Sequence, residues 1–217
     1  MTLDDVYRVR FDERSRRGKM AVWREVTRFL GTWIRPDRPV LDVGCDAGYF
    51  IRHVDAQERW ATDVRDVGAL LPNDVRFCQA DGLALTEVLP TGAFGTVFMS
   101  NYLEHLPDSS AVLRQLRVAA ELLEPGGRLI VLQPNIRLIG GRYWDFIDHH
   151  VALTERSLVE AAELAGLRTH GLITRFLPYT TKSRLPQDPR LVRLYLRFPP
   201  AWWLLGKQTL YVGERPA

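Results

Sequence analysis

The chain has 217 residues, 46% apolar and 25% charged, which suffices for one well-buried domain with some appended structure and is too short for two full domains. Such a composition excludes a disordered polyelectrolyte, and a net charge of +3, from 29 basic against 26 acidic residues, is too small by itself to argue for nucleic acid. Cys45 and Cys78 lack any Cys-x-x-Cys spacing, the start carries Asp4, Asp5 and several arginines, and no run of about 18 uncharged apolar residues occurs, so a cytoplasmic protein without disulfides, secretion signal or membrane span is expected.

Val22, Val26, Phe29, Leu30 and Trp33 recur at helical spacing, which predicts a leading helix over 19–33 within an N-terminal helical cover over 1–35. Short apolar runs follow at 40–43, 60–64, 75–79, 96–99 and 128–133, separated by helical or turn-rich stretches. That alternation predicts a parallel sheet with crossover helices. A helix over 109–123 carries Val112, Leu116, Ala119 and Leu123 on one face and is expected to stop at Pro125-Gly126-Gly127. Another begins near Thr154 and stops at Gly166, with strands expected over 167–175 and 209–214. Between those strands, 176–207 contains Pro178, Pro186, Pro189, Pro199 and Pro200 and reads as a lid-like insertion in a single domain.

Val40 to Phe50 reads Val-Leu-Asp-Val-Gly-Cys-Asp-Ala-Gly-Tyr-Phe, a buried strand, a loop with Gly44 and Gly48, and the expected start of a helix. Small residues let a backbone approach a ligand closely, and a helix start aims free N–H groups at the same place. A dinucleotide pyrophosphate gains nothing from a carboxylate such as Asp42 there, whereas a ligand carrying an ammonium and a sulfonium is attracted by one. Loop and acid together point to S-adenosylmethionine.

This segment resembles the first motif of class I S-adenosylmethionine-dependent methyltransferases of the bacterial small-molecule type, and further landmarks follow in order. Asp63, 21 residues after Asp42, matches the acid that grips both ribose hydroxyls, and Asp81-Gly82 resembles the motif whose acid accepts from the adenine amine. Phe94 to Met99 with Ser100-Asn101-Tyr102-Leu103-Glu104-His105-Leu106 resembles the fourth strand and its loop, and Leu123 to Arg128 the turn into the fifth. The resemblance spans residues 39–175. It implies an α/β, Rossmann-like, seven-stranded and mostly parallel sheet with flanking helices, and cofactor contacts at Asp42, Gly44, Cys45, Asp46, Gly48, Asp63, Val64, Asp81, Gly82 and Asn101. Asp46 departs from the family, which has glycine there; aspartate tolerates left-handed backbone better than most residues. The Gly-x-Gly-x-x-Gly spacing of NAD(P)-dependent reductases is missing.

Methyl transfer to oxygen benefits from a proton acceptor near neutral pH, and histidine is the natural one. His105, His149 and His150 follow strand ends, where open parallel sheets place ligands, whereas His53 and His170 read as packing or surface residues. Asn101-x-x-Glu104-His105 with a distant histidine looks like a weakened Glu-x-x-Glu-His arrangement of metal-assisted O-methyltransferases. Glu104, His105 and His149 are the metal candidates it implies, beside a metal-free orienting role.

Arg142, Tyr143, Trp144 and Asp148 follow the fifth strand and are expected to border a mixed-polarity acceptor, such as a sugar, glycolipid precursor or secondary metabolite, phosphate-bearing or lipid-linked; packing of the loop is the plain alternative for the aromatics. In the insertion, Arg175, Lys182, Arg184, Arg190, Arg193 and Arg197 face one acid, Asp188, while Leu191, Leu194, Tyr195 and Phe198 sit at helical spacing. A basic amphipathic helix of this kind either packs over the sheet or makes peripheral membrane contact through 189–205. A non-catalytic cofactor-binding module and an RNA methyltransferase are the alternative readings.

Overall fold

Runs of alternating apolar residues become strands because each lends one set of side chains to either face of a sheet. A computed structural model describes residues 13–179 and 188–217; the predicted features at Asp4, Asp5, Lys182, Arg184 and Pro186 lie outside them. Among the described residues there are seven strands: β1 (Val40–Val43), β2 (Arg59–Asp63), β3 (Val75–Gln79), β4 (Phe94–Ser100), β5 (Leu123–Pro134), β6 (Arg168–Ile173) and β7 (Gln208–Glu214). They form one sheet of order β3-β2-β1-β4-β5-β7-β6. The first five pair in parallel, and β7 runs antiparallel to both β5 and β6.

The helices are α1 (Glu13–Leu30), α2 (Leu85–Val88), α3 (Ser109–Leu122), α4 (Ile136–Ile139), α5 (Glu155–Leu164), α6 (Pro189–Leu196) and α7 (Pro199–Leu205). Asp108 caps α3 by accepting from Ala111 N–H at 2.7 Å, and Thr154 with Ser157 closes a capping box on α5. Within β4 and β5 alternate residues part company. Val97, Met99, Leu129 and Val131 join the α3 and α5 side, whereas Phe98, Ile130 and Leu132 join α1 on the other. Both faces of the sheet are therefore covered, which a parallel sheet requires.

Two local expectations need correction. Helix α3 ends at Leu122 and β5 starts at Leu123, so Pro125-Gly126-Gly127 belongs to the strand and not to a separate turn. Gly126 N–H bonds to Arg215 O at 2.9 Å, drawing the segment into the sheet, and a Cβ on Gly127 would meet Phe94 O at 2.9 Å. The loop after β1 does not open a regular helix either. Residues 46–53 form successive turns, with Gly48 N–H to Cys45 O at 2.8 Å and His53 N–H to Phe50 O at 3.0 Å. Asp46 and Gly48 both have positive φ, 49° and 68°, values that a right-handed helix cannot contain.

The 176–207 insertion leaves the sheet after β6 and returns at β7, where Phe176 N–H bonds to Gln208 O at 2.7 Å and Lys207 N–H to Leu177 O at 2.7 Å. Its helices are docked. Trp202 packs edge-on against Phe29 and Phe176, and the Arg193 guanidinium places Nε and Nη2 each 2.9 Å from the buried Glu25 carboxylate of α1. Those Arg193 hydrogen bonds hold the Glu25 carboxyl below its usual range. The start of the insertion approaches the loop after β5 through Tyr179 and Phe146, whose ring centres are 6.2 Å apart, and its end does so through Lys207 O, which accepts from Asn135 N–H at 3.1 Å.

Candidate active site at the carboxyl ends of the strands

Parallel strands end together on one edge of the sheet, and the loops that follow β1, β2, β4 and β5 converge there. On the β1–β2 side the centre is Asp63, the last residue of β2. Its Oδ1 accepts from Arg65 N–H at 3.0 Å and Arg65 Nε at 3.1 Å, and its Oδ2 from Asp46 N–H at 3.0 Å and Arg65 Nη2 at 3.1 Å. A carboxylate has about four lone-pair positions, and here all are used. Arg65 Nη2 also reaches Asp46 Oδ1 at 3.1 Å, while Lys19 Nζ stands 3.9 Å from Asp46 Oδ2 and 4.2 Å from the centre of the Tyr49 ring. The charge at the unusual loop aspartate is thus met by two cations.

Asp42 corrects the expectation of a carboxylate at the loop mouth. It is the third residue of β1 and buried, and desolvation pushes its pKa up to about 8, with Asp63 and Asp46 adding to the rise against a lowering bond from Ile51 N–H. Near neutral pH it is largely a neutral acid. The two loop glycines also differ from expectation: a Cβ at Gly44 would lie 2.6 Å from the Tyr102 ring, and one at Gly48 would lie 2.5 Å from Leu71. Their missing side chains make room for protein as well as permitting positive φ. Tyr102 reaches Gly82 too, where a Cβ would collide with its hydroxyl, and that hydroxyl donates to Gln115 Oε1 at 2.9 Å.

Cys45 turns its side chain into the core on the α1 side, where burial and the neighbouring acids raise the pKa of its thiol and keep it protonated. Val64 is exposed, with its carbonyl accepting from Gln79 Nε2 at 3.0 Å. Asp81 caps the turn that follows it by accepting from Leu83 N–H at 2.9 Å, and Asn101 is exposed with φ 47°. Asp42, Asp46 and Asp63 are brought together electrostatically; Asp81 and Gly82 meet them through Tyr102.

The β4–β5 side is built differently. The 3-10 turn Leu103–His105 follows β4, and the Glu104 carbonyl accepts from His150 N–H at 2.8 Å and Val151 N–H at 3.2 Å, stitching it to the loop after β5. Glu104 is 1% exposed, and burial raises its pKa, with His105 pulling the other way. His105 Nδ1 lies 2.8 Å from Asp148 O and 3.5 Å from Asp148 Oδ2. A carbonyl can only accept, so Nδ1 carries the proton and Nε2 is left as the basic nitrogen. The His149 ring stacks on Phe146 at 5.1 Å and stands edge-on to Tyr143 at 4.9 Å and His105 at 5.1 Å. One ligand atom from each of Glu104, His105 and His149 falls within 4.8 Å of the others.

Of the remaining expected residues, His150 is exposed and contributes its backbone to the stitching, so it does not join the cluster. Tyr143 is fully buried with its hydroxyl donating to Val151 O, which corrects its assignment to an acceptor wall: it packs beneath His149. Arg142 and Trp144 are exposed, and Asp148 faces His105. The sequence reading missed the roles of Arg65, Lys19 and Tyr102. Only Arg65 had a visible signal, a cation two residues after the acid that ends β2.

The sequence profile described as a methyltransferase domain matches residues 13–171. No curated protein matches the chain. Among solved structures, a chain from the complex between the Haloferax volcanii Trm112 methyltransferase activator and a methyltransferase is similar, at TM-score 0.67 and 17% identity over 95% of each chain. An S-adenosylmethionine-dependent methyltransferase from Archaeoglobus fulgidus superposes at 0.62 with 16% identity, over 88% of this chain and 93% of its own. N-methyltransferase NodS from Bradyrhizobium japonicum WM9, in complex with S-adenosyl-L-homocysteine, superposes at 0.59 with 15% identity, over 83% and 79%.

Proposed function

This chain belongs to the methyltransferase-domain family and uses S-adenosylmethionine, and on that premise we propose that it methylates a hydroxyl oxygen of a small-molecule acceptor held between the β4 and β5 loops. The observation that carries the reading is the His105 tautomer. With Nδ1–H given to the Asp148 carbonyl at 2.8 Å, Nε2 is the ring nitrogen whose lone pair is left to take a hydroxyl proton. His149, clamped between Phe146 and Tyr143, sets the opposite wall and supplies a second imidazole.

Asp63, Asp81 and the Gly44–Gly48 loop are the residues that would hold the cofactor, which supplies an electrophilic methyl on a positively charged sulfur. The fit rests on Asp63. Arg65 presents two side-chain N–H donors to its two oxygens, as a vicinal diol would present two O–H donors, so ribose binding exchanges one pair of donors for another. Arg65 must then swing away, and it remains within reach of Asp46.

A second reading is favoured by the clustering of Glu104, His105 and His149: one carboxylate and two imidazoles within 4.8 Å suit a divalent ion that would orient acceptor hydroxyls. One experiment separates the possibilities. Calorimetry with S-adenosylhomocysteine establishes the cofactor, and a radiolabelled methyl-transfer screen over sugars, glycolipid precursors, phenolic metabolites and RNA is then run with protein stripped of metal and with Mg²⁺ or Mn²⁺ restored. Transfer to a hydroxyl at full rate after stripping supports the histidine base and removes the metal reading. Transfer only to nitrogen or to RNA overturns the small-molecule oxygen assignment.

A further inference from the structure

The docked insertion leaves one surface without a partner among the described residues. On α6, Val192, Tyr195 and Leu196 turn toward α1, and Tyr195 and Trp202 tie α6 to α7 through the Trp202 Nε1 bond to Tyr195 O at 2.8 Å. At about 100° per residue, Leu194 falls on the opposite, outward side with Arg190 beside it, and Arg197 and Phe198, just past the end of the helix, are exposed. Leu194 is 64% exposed, and on the adjoining α7 Trp203 is 74% and Leu204 69% exposed. These are large apolar groups on consecutive short helices, not scattered singles, and such clusters mark interaction sites.

Among the described residues the charge around them is predominantly positive. Arg175 Nη1 donates to Trp203 O at 3.2 Å with its guanidinium over the Trp203 ring. Arg24, Arg28 and Arg193 all converge on the single carboxylate Glu25, leaving an excess of two positive charges there. Asp188 is spent on capping α6 by accepting from Arg190 N–H at 2.7 Å. A second copy of the same surface would bring arginines against arginines. Phosphate-bearing headgroups over acyl chains match both the charge and the apolar ridge.

We propose that α6 and α7 dock this protein on an anionic membrane surface, Leu194, Phe198, Trp203 and Leu204 entering the headgroup boundary while Arg190 and Arg197 meet lipid phosphates. The helices lie in the interface plane. No helix among the described residues is long and apolar enough to cross a membrane, and the short α6–α7 pair needs only to rest on one.

The test is co-sedimentation of the full chain with phosphatidylcholine vesicles and with vesicles containing phosphatidylglycerol, at low and high salt. The protein should pellet with the anionic vesicles at low salt and release as salt rises. R190Q/R197Q should weaken that binding about 25-fold, from about 1 kcal/mol per basic residue, and L194S/W203S/L204S by at least about tenfold. Should the serine variant misfold, the arginine pair, exposed and outside the core, carries the test alone. Protein that stays in the supernatant, equal binding to both vesicle types, or variants that bind like the parent overturn the proposal. So does a dimer in light scattering that L194S dissociates. None of these readouts needs turnover, so they stand apart from the oxygen-transfer reading.

Discussion

The two sides of the active edge are held by opposite means. Around Asp63 the groups are charged and fixed by ion pairs: one arginine spans Asp63 and Asp46, and Lys19 adds a second cation beside Asp46. Around His149 the groups are rings and a buried acid, fixed by stacking and by backbone bonds to Glu104. Ion pairs can exchange partners at modest cost, whereas a packed aromatic box cannot be rearranged without losing its contacts. On the proposed reading, the β1–β2 side is the one that rearranges when the cofactor arrives, and the β4–β5 side stays.

The largest effect should come from removing the exchangeable acid. Asp63→Ala is expected to lower S-adenosylhomocysteine affinity by about 100-fold or more in calorimetry, since two charge-assisted hydrogen bonds are lost. Unchanged affinity would sink the ribose assignment. On the rigid side, His105→Ala should cut turnover about 10²- to 10⁴-fold while leaving S-adenosylhomocysteine binding intact. A joint loss of binding and turnover would mean that the two sides are not separate.

Arg65→Ala tests the exchange itself. With its competitor gone, Asp63 should bind S-adenosylhomocysteine more tightly, by about threefold to tenfold, or about 1 kcal/mol. Weaker binding would show that Arg65 contacts the cofactor rather than making way for it. The smallest effect concerns stability. Asp42 has its folded pKa raised from 3.8 to about 8, so its contribution to stability is fully present below about pH 4 and is lost as pH rises through about 8. Asp42→Asn should melt close to the parent at pH 4 and about 2–4 °C or more above it at pH 8, on the basis of at least about 1 kcal/mol. Parallel melting curves across that range would show that Asp42 ionises freely.

Much of the frame was legible because it is periodic or local. Apolar runs marked all seven strands, β5 without its first five residues, and Thr154 and Gly166 bracketed α5 from turn and cap chemistry alone. The positive φ of Asp46 was also foreseeable, since aspartate is among the few residues that accept it. What misled the reading was assigning roles from residue type: Asp42 as an open charge, the missing side chains of Gly44 and Gly48 as open space, Tyr143 as an acceptor wall. Each turns on which neighbour fills the adjoining space, and Tyr102, Leu71 and the loop beneath His149 fill it here.

The sequence by itself determined the strand order's raw material, the loop and acids in family order, and the amphipathic helix of the insertion, because these depend on spacing along the chain. Tertiary structure alone decided that Arg193 would bind Glu25 across 168 residues, that His105 would orient on Asp148 across 43, and that Arg65 would occupy the acid at the end of β2. Such contacts join side chains whose separation has no period, and only the closed sheet brings them within hydrogen-bond reach.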